Sequence, residues 1–449
     1  MVIRKCFPIV IILIWGTGLS CFPSHGTQPV KLKLGLIESD GKTVMPAQFA
    51  RLYPTGTGFY IAYRPVKEDG LCTLGVRPEP ILVNRSGEIV AKLSPVINSI
   101  DLNKAAITYL AISEGNKCMI GALDGKVVAG PFDDCLAISN DLCIVRSGSS
   151  CQLVIPGKSK KRLDDCLGAK SGNSSRGVAI KTKSGWGFVD RSAAMAVQPN
   201  NEDIRSERDG FIQILPKSGD TVSSWQTLDL DAKAKEQFRF YRVGEGSSGF
   251  IPAAVKTKGT VRWGVIDSKR NWQIQPKYNL VEICQNGQAI VSNPDGSCQL
   301  IDPVSKKTSI KFKRLSFLGG EWFAFKSWDQ KTDDVGLIHS NGTVAKTPMF
   351  RSLLYCGQNL FAFENADHVG KFGLMDQQGT IIKAPFLDYI SAAPLLKNGG
   401  QLIPANINER NEKKWGWINA RGQWIVKPKF DFAGPFVGGL AAFGLRTTD

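Results

Sequence analysis

Apolar residues in this chain arrive in short runs broken by Gly-containing turns, and one phrase of such positions recurs. It reads aromatic, Gly, two apolar residues and Asp or Asn, then a Gly turn, an apolar pair and Pro. The clearest copy is Trp415-Gly416-Trp417-Ile418-Asn419, followed by Gly422, Ile425-Val426 and Pro428. Others are Trp186-Gly187-Phe188-Val189-Asp190, Trp263-Gly264-Val265-Ile266-Asp267 and Phe372-Gly373-Leu374-Met375-Asp376. The step from Gly to Pro is 12 residues at Gly187/Pro199, Gly264/Pro276, Gly336/Pro348, Gly373/Pro385 and Gly416/Pro428, and 11 at Gly35/Pro46. Recurrence at a fixed spacing marks an internal repeat.

Two apolar runs around a Gly-containing turn predict a β-hairpin. Pro, which cannot donate to a ladder, is expected to end the second strand. An aromatic and often Asp follow, as in Phe132-Asp133 and Phe430-Asp431, and then a further apolar run such as Gly249-Phe250-Ile251. Each unit therefore has three or four short strands. The aromatics Trp186, Trp263 and Trp415 hold the same slot in their units, which makes them scaffold positions rather than a ligand cage. With the Gly slot at 35, 81, 121, 152, 187, 264, 299, 336, 373 and 416, the steps run from 31 to 46 except for one of 77. That long step holds an insertion or a decayed unit, for which Phe211-Ile212-Gln213-Ile214 with Gly219 is the candidate, so the array has ten or eleven units. Asp231 to Gln237, inside the same step, is the one helical-looking stretch.

The phrase resembles the bacterial WG-repeat family, also called KWG repeats. The residues that carry it are Lys414-Trp415-Gly416-Trp417-Ile418-Asn419 with Gly422, Pro428-Lys429-Phe430-Asp431 and Gly439-Leu440-Ala441, and then Arg262-Trp263-Gly264-Val265-Ile266-Asp267 with Pro276-Lys277-Tyr278. The resemblance is strong from Ser184 onward. Before it, Ile81 takes the Gly slot, and Leu34 and Ile120 replace the Trp. The resemblance implies an all-β repeat array and transfers no catalytic residue.

Arg4-Lys5, the apolar run Phe7 to Trp15 and Gly18-Leu19-Ser20-Cys21 read as a secretory signal over residues 1–26, cleaved near 20–26. Cys21 is the residue that would carry a lipid if the leader is processed as a lipoprotein; Gly18 stands where such sites place a large aliphatic residue. The formal charge of +16 falls to +14 once Arg4 and Lys5 are removed. Its basic runs are Lys158, Lys160, Lys161 and Arg162, then Lys306, Lys307, Lys311, Lys313 and Arg314. They read as a solvated surface or as attraction to an anionic envelope polymer. No nucleic-acid reader motif appears, and the membrane enters only through a lipid on Cys21.

Nine cysteines follow the leader, with no Cys-x-x-Cys. Cys143 with Cys151, or Cys284 with Cys298, is close enough to bridge a hairpin; the competing reading is buried thiols acting as apolar filler. The only His residues are His25, His339 and His368, too few for a Ser-His-Asp triad or a His-rich metal site. Asp133-Asp134, Asp164-Asp165 and Asp333-Asp334 are acidic pairs that suit acid/base chemistry or loop solubility. Gly244 to Gly249 matches a dinucleotide fingerprint by letter but runs into the strand Phe250-Ile251, not a helix. No cofactor or metal is expected.

The expected fold is an all-β array of WG-type hairpin units over residues 27–449. A β-propeller is the leading form; a solenoid, or two smaller propellers divided within 200–258, is the alternative. The structural positions are Gly35, Trp186, Gly187, Pro199, Trp263, Gly264, Pro276, Gly336, Pro348, Gly373, Pro385, Trp415, Gly416 and Pro428. The expected function is an exported, non-enzymatic binding or scaffold protein of the cell envelope, with an unknown protein or anionic polymer as partner. The alternative is a propeller-type glycan hydrolase using loop carboxylates.

Overall fold

The computed structural model describes residues 32–446 apart from 56, 65–78, 100–107, 173, 175, 206–207, 218–224, 232–238, 329–331, 392–401 and 410–411. The leader with Cys21 and His25, the turn at Gly219 and the helical-looking stretch after Asp231 lie outside the described residues. Among the described residues the strands fall into ten antiparallel sheets, nine of them built from strands consecutive in the chain.

Unit 7 shows the plan: Arg242–Val243, Phe250–Thr257, Thr260–Asp267 and Trp272–Tyr278, paired in that order. The repeat phrase is the third strand. Across it, Trp263 pairs with Tyr278 and Val265 with Ile274, so the fourth strand carries extra residues at a bulge. The bulge drives the Ile274 carbonyl over Gly264, where a Cβ would sit 2.3 Å from that oxygen. The same clash is 2.4 Å at Gly35, 2.6 Å at Gly187 and Gly336, 2.7 Å at Gly373 and 2.3 Å at Gly416. Gly is required here for close approach of two backbones. Pro276 lies in the bulge and has no N–H to strand there. Pro thus sits inside the fourth strand rather than ending it, as Pro428 does within Trp424–Phe430. It is tolerated because that strand is the outer edge of its sheet.

Two positions of the repeat change. Cys118 pairs with Phe132 and Ile120 with Ala129. This places Met119, twelve residues before Pro131, in the Gly slot, and Gly121 two positions beyond it. The decayed unit also differs from expectation. Phe211–Pro216 is its second strand, and its third is Gln226–Asp229. Trp225-Gln226-Thr227-Leu228-Asp229 is the repeat phrase with Gln for Gly, and Phe240 follows Asp229 by eleven residues, as Tyr278 follows Asp267. Met195–Ile204 serves as the last strand of unit 5 and the first of unit 6, which merges them into one six-stranded sheet. Ten sheets therefore hold eleven units.

The chain ends close the array. Leu32–Glu38 pairs with Leu440–Arg446 over seven residues, from Leu32 opposite Arg446 to Glu38 opposite Leu440. Unit 1 thus takes two strands from each end of the chain. Buried apolar clusters join every unit to the next, including unit 1 to unit 2 through Leu36, Met45 and Leu52, and unit 11 to unit 1 through Trp417, Ile37 and Phe443. The result is one propeller-like ring, with the first strand of a unit lying against that of its neighbour, as Arg314–Gly319 does against Ser352–Gly357.

Candidate interaction surface

Each recurring polar residue has an internal task. The Asp or Asn that closes the phrase caps the turn: Asp267 Oδ1 accepts from the N–H of Lys269 and of Asn271, both at 2.9 Å. Asp190, Asp376 and Asn419 do the same. His339 fills this slot in unit 9, where Nδ1 accepts from the N–H of Asn341 at 3.2 Å. The fourth turn residue needs positive φ and is Gly at 342, 379 and 422; Arg270 takes it at φ 69°.

The Asp after the aromatic links neighbouring units. Asp431 holds Lys414 at 3.0 Å and accepts the Arg446 N–H at 2.9 Å; Asp388 holds Lys371 and the Asn408 N–H likewise. Asp133 binds Lys117 and the Gly148 N–H. Hydrogen bonding from Lys117 and from Gly148 holds the Asp133 carboxyl below its ordinary pKa. At Asp190 and Asp267 burial opposes ionisation, but hydrogen bonds from Ser192 and Asn271 among others outweigh it, and both titrate below the usual value. A carboxyl whose pKa is depressed on folding stabilises the protein fully above the unfolded value of about 3.9, and the contribution is lost as pH falls through the folded pKa. Urea midpoints followed by Trp fluorescence should therefore be flat near neutrality and fall below about pH 4. A midpoint that rises on acidification would contradict these assignments.

The acidic pairs do not converge. Asp333 meets Lys326 at 3.0 Å, and Asp164 meets Arg162 at 3.6 Å, both in solvent. The densest charge cluster lies at units 5–7. Arg270, whose side chain is 12 % exposed, donates to both oxygens of the buried Asp229 (2.8 and 3.1 Å) and to Asp231 (2.9 Å), while its guanidinium stacks 4.1 Å from the Phe211 ring. Arg176 binds Asp231 from the other side. This closed pairing ties the decayed unit 6 to unit 7. Among the described residues no three His, Cys, Asp or Glu side chains group as metal ligands. A cavity of about 170 Å³ between units 10 and 11, lined by Asn359, Leu360, Ile382 and Ile403 among others, is below the roughly 300–1,000 Å³ of small-molecule sites.

Sequence reasoning had not resolved where the basic residues go. The outermost strands are Thr43–Phe49, Ile89–Lys92, Val127–Phe132, Ser159–Leu163, positions 195–201, Trp272–Tyr278, Val344–Phe350, Ile381–Leu387 and Trp424–Phe430. They carry Lys92, Lys160, Lys161, Arg162, Lys277, Lys346, Lys383, Lys427 and Lys429; the acidic residues on them are Glu202 and Asp203, where the strand Met195–Ile204 runs on into unit 6. The first basic run lies at the rim of unit 4 and Lys306 to Lys311 at the rim of unit 8, where Thr308 and Phe312 bridge to the third strand; Arg314 opens the first strand of unit 9. Lysines of both runs are engaged: Lys161 donates to the Ser192 carbonyl at 3.1 Å, Lys306 donates to the Gln273 carbonyl at 2.6 Å and Lys311 pairs with Asp295 at 2.6 Å. Exposed apolar residues interleave with the charge, including Ile89, Ile381 and Ile425. The signal in sequence is the run Ile-Val-Lys-Pro-Lys at 425–429, legible as a charged edge only once its strand is known to be outermost.

Cysteine pairing departs from expectation. Cys118 and Cys135 form a disulfide between units 3 and 4, while neither Cys143 and Cys151 nor Cys284 and Cys298 are joined to each other. In the hairpin of unit 4, Cys143 lies opposite Val154 and Cys151 opposite Arg146, so the two sulfurs do not meet. In unit 8 Cys298 lies opposite Ser292, not Cys284. Burial pushes the thiols of Cys143, Cys284 and Cys356 up to about 12, which suits apolar filler.

No curated protein matches the chain. Solved structures similar to it include BamB from Moraxella catarrhalis (11 % identity, 75 % of this chain and 94 % of that one, TM-score 0.23) and the Dos1 propeller (9 %, 70 % and 92 %, 0.25). AztD from Citrobacter koseri is a third (12 %, 62 % and 91 %, 0.24). At these scores none of the three bears on what this chain binds. The family described as WG containing repeat matches residues 263–293 and 415–445, the third-strand-to-second-strand spans of units 7 to 8 and 11 to 1. With the Gly, bulge and Pro of that phrase in place in six of the eleven units, the chain is a WG-repeat-containing protein.

Proposed function

We propose that this protein is an exported, non-enzymatic binding scaffold of the cell envelope whose cationic rim engages an anionic envelope polymer. The observation that carries the reading is the segregation of charge: nine basic residues on the outermost strands against two acidic ones, Glu202 and Asp203, both where Met195–Ile204 runs on into unit 6. The recurring Asp residues, by contrast, are spent inside the ring on turn caps and links. Export is supported by the leader-like start and by the Cys118–Cys135 disulfide, a bond of oxidising compartments. The rival explanation is that Lys on an edge strand merely blocks edge-to-edge pairing.

Charge reversal separates the two, because Glu protects an edge as well as Lys does. Lys277→Glu, Lys383→Glu, Lys427→Glu and Lys429→Glu together should leave the protein monodisperse but abolish retention on a resin bearing a phosphorylated polysaccharide. The wild type should elute as salt shortens the Debye length to about 8 Å and below. Retention unchanged by salt and by the four substitutions would leave edge protection as their only role. Turnover of a glycan by the purified protein, lost on changing one carboxylate, would replace the scaffold reading with the hydrolase.

A further inference from the structure

The Cys118–Cys135 disulfide has a near-copy one unit further along the chain. Cys118 occupies the aromatic slot of unit 3 and lies opposite Phe132; Cys151 occupies the same slot of unit 4 and lies opposite Leu163. Beyond each partner the chain repeats itself: Phe132-Asp133-Asp134-Cys135-Leu136 and Leu163-Asp164-Asp165-Cys166-Leu167. Cys166 therefore stands to Cys151 as Cys135 stands to Cys118, three residues past the residue that faces the slot. The spatial relation follows the sequence. Cys151 Sγ lies 3.1 Å from the Cys166 carbonyl oxygen, and the two side chains share one apolar cluster with Leu153 and Leu163.

We propose that Cys151 and Cys166 form a second disulfide, which ties the third strand of unit 4 to the junction leading into unit 5. The third cysteine in an aromatic slot marks the boundary of the rule. Cys298 faces Phe312, and three residues on stands Leu315, so Cys298 has no counterpart and stays a thiol beside Ser292.

The oxidant is a disulfide reagent, here oxidised glutathione. The thiolate of Cys166, the less buried of the two residues, attacks one glutathione sulfur and releases the other as a thiolate. The Cys151 thiolate then attacks Cys166 Sγ and releases the second glutathione. One S–S bond breaks and one forms, two electrons reduce the reagent, and the two cysteine protons end on two glutathione thiols. Burial and the neighbouring Cys151 thiol push the Cys166 thiol up to about 12, so the exchange is to be run at mildly alkaline pH.

The chemistry is independent of where the protein resides, so the test uses the leaderless chain refolded in reduced and oxidised glutathione. It is then acid-quenched, unfolded, alkylated with iodoacetamide without reduction, and digested with trypsin. The expected result is a cross-linked pair of peptides, residues 147–158 with 163–170, in which neither cysteine is alkylated, while Cys298 is fully alkylated. In Cys166→Ser, Cys151 should become fully alkylated and Cys118–Cys135 should stay closed. Alkylation of both Cys151 and Cys166 in the wild type would overturn the proposal, whether or not Cys118–Cys135 had closed. So would a Cys143–Cys151 cross-link.

Discussion

Replacing Gly264 or Gly416 by Val is expected to lower stability by about 3 kcal/mol, at the upper end of overpacking costs. The cause is an added Cβ 2.3 Å from a main-chain carbonyl, Ile274 in one case and Val426 in the other. Flexible side chains can move away from an intruder, but these oxygens belong to a bulge held by ladder bonds on both sides of Pro276 and Pro428. Even Ala should cost most of that, because the first carbon makes the clash. Gly342 is the comparison. Its φ is +91° with nothing within 4 Å of an added Cβ, so Gly342→Ala pays only the left-handed backbone cost of about 1–2 kcal/mol. Urea melts of Gly264→Ala, Gly416→Ala and Gly342→Ala rank the two effects. Equal midpoints for all three would show that the bulge yields, and the explanation of the repeat Gly would fail.

The bulge also accounts for what sequence reasoning reached and where it stopped. Gly and Pro at a 12-residue step are visible in sequence because one backbone feature demands both, and the pair survives where neighbouring side chains drift. Units that pair their third and fourth strands without the bulge do not need Gly: Cys151 to Ile155 pairs residue for residue with Ser159 to Leu163, and Gln152 sits in the slot. The phrase of unit 6, expected at Phe211-Ile212 within the long step, was misplaced for a related reason. It has Gln226 and no Pro, so only Trp225, Asp229 and the eleven-residue step to Phe240 remain as a signal. Gly121 misled because it is a Gly in the wrong place, two residues past a Met that the pairing puts in the slot. The rim was illegible for a different reason. Lys383 and Lys427 look like ordinary surface until their strands are ordered within the sheet, since outermost position is a property of the ring rather than of a hairpin. The Cys118–Cys135 bond likewise joins two units, and spacing inside one hairpin carries no information about it.

Ending the chain at Gly438 is expected to unfold the whole ring rather than fray one end. The deletion removes Leu440–Arg446, which pairs along its full length with Leu32–Glu38 and on its other side with Phe432–Val437. It strips Leu440 and Ala442 from the cluster shared with unit 2, and Ala441 and Phe443 from that shared with unit 11. At about 1.5–3 kcal/mol for each large apolar side chain, with two strands left unpaired, the loss reaches about 5 kcal/mol, comparable to the total stability of a typical domain. An open solenoid would behave otherwise: removing a terminal strand would expose one unit and leave the distant ones folded. Limited proteolysis distinguishes the two. In a ring, sites in units 5 and 6, on the far side, should become as susceptible as those in unit 1, and the urea midpoint should collapse. Cleavage confined to units 1, 2 and 11, with the midpoint of the remainder preserved, would mean that the pairing of the two chain ends contributes little and that each unit stands mainly on its neighbours. Supplying residues 439–446 as a peptide should restore the midpoint only if closure is what was lost, because Phe443 would again pack on Phe430 and complete the cluster around Trp417.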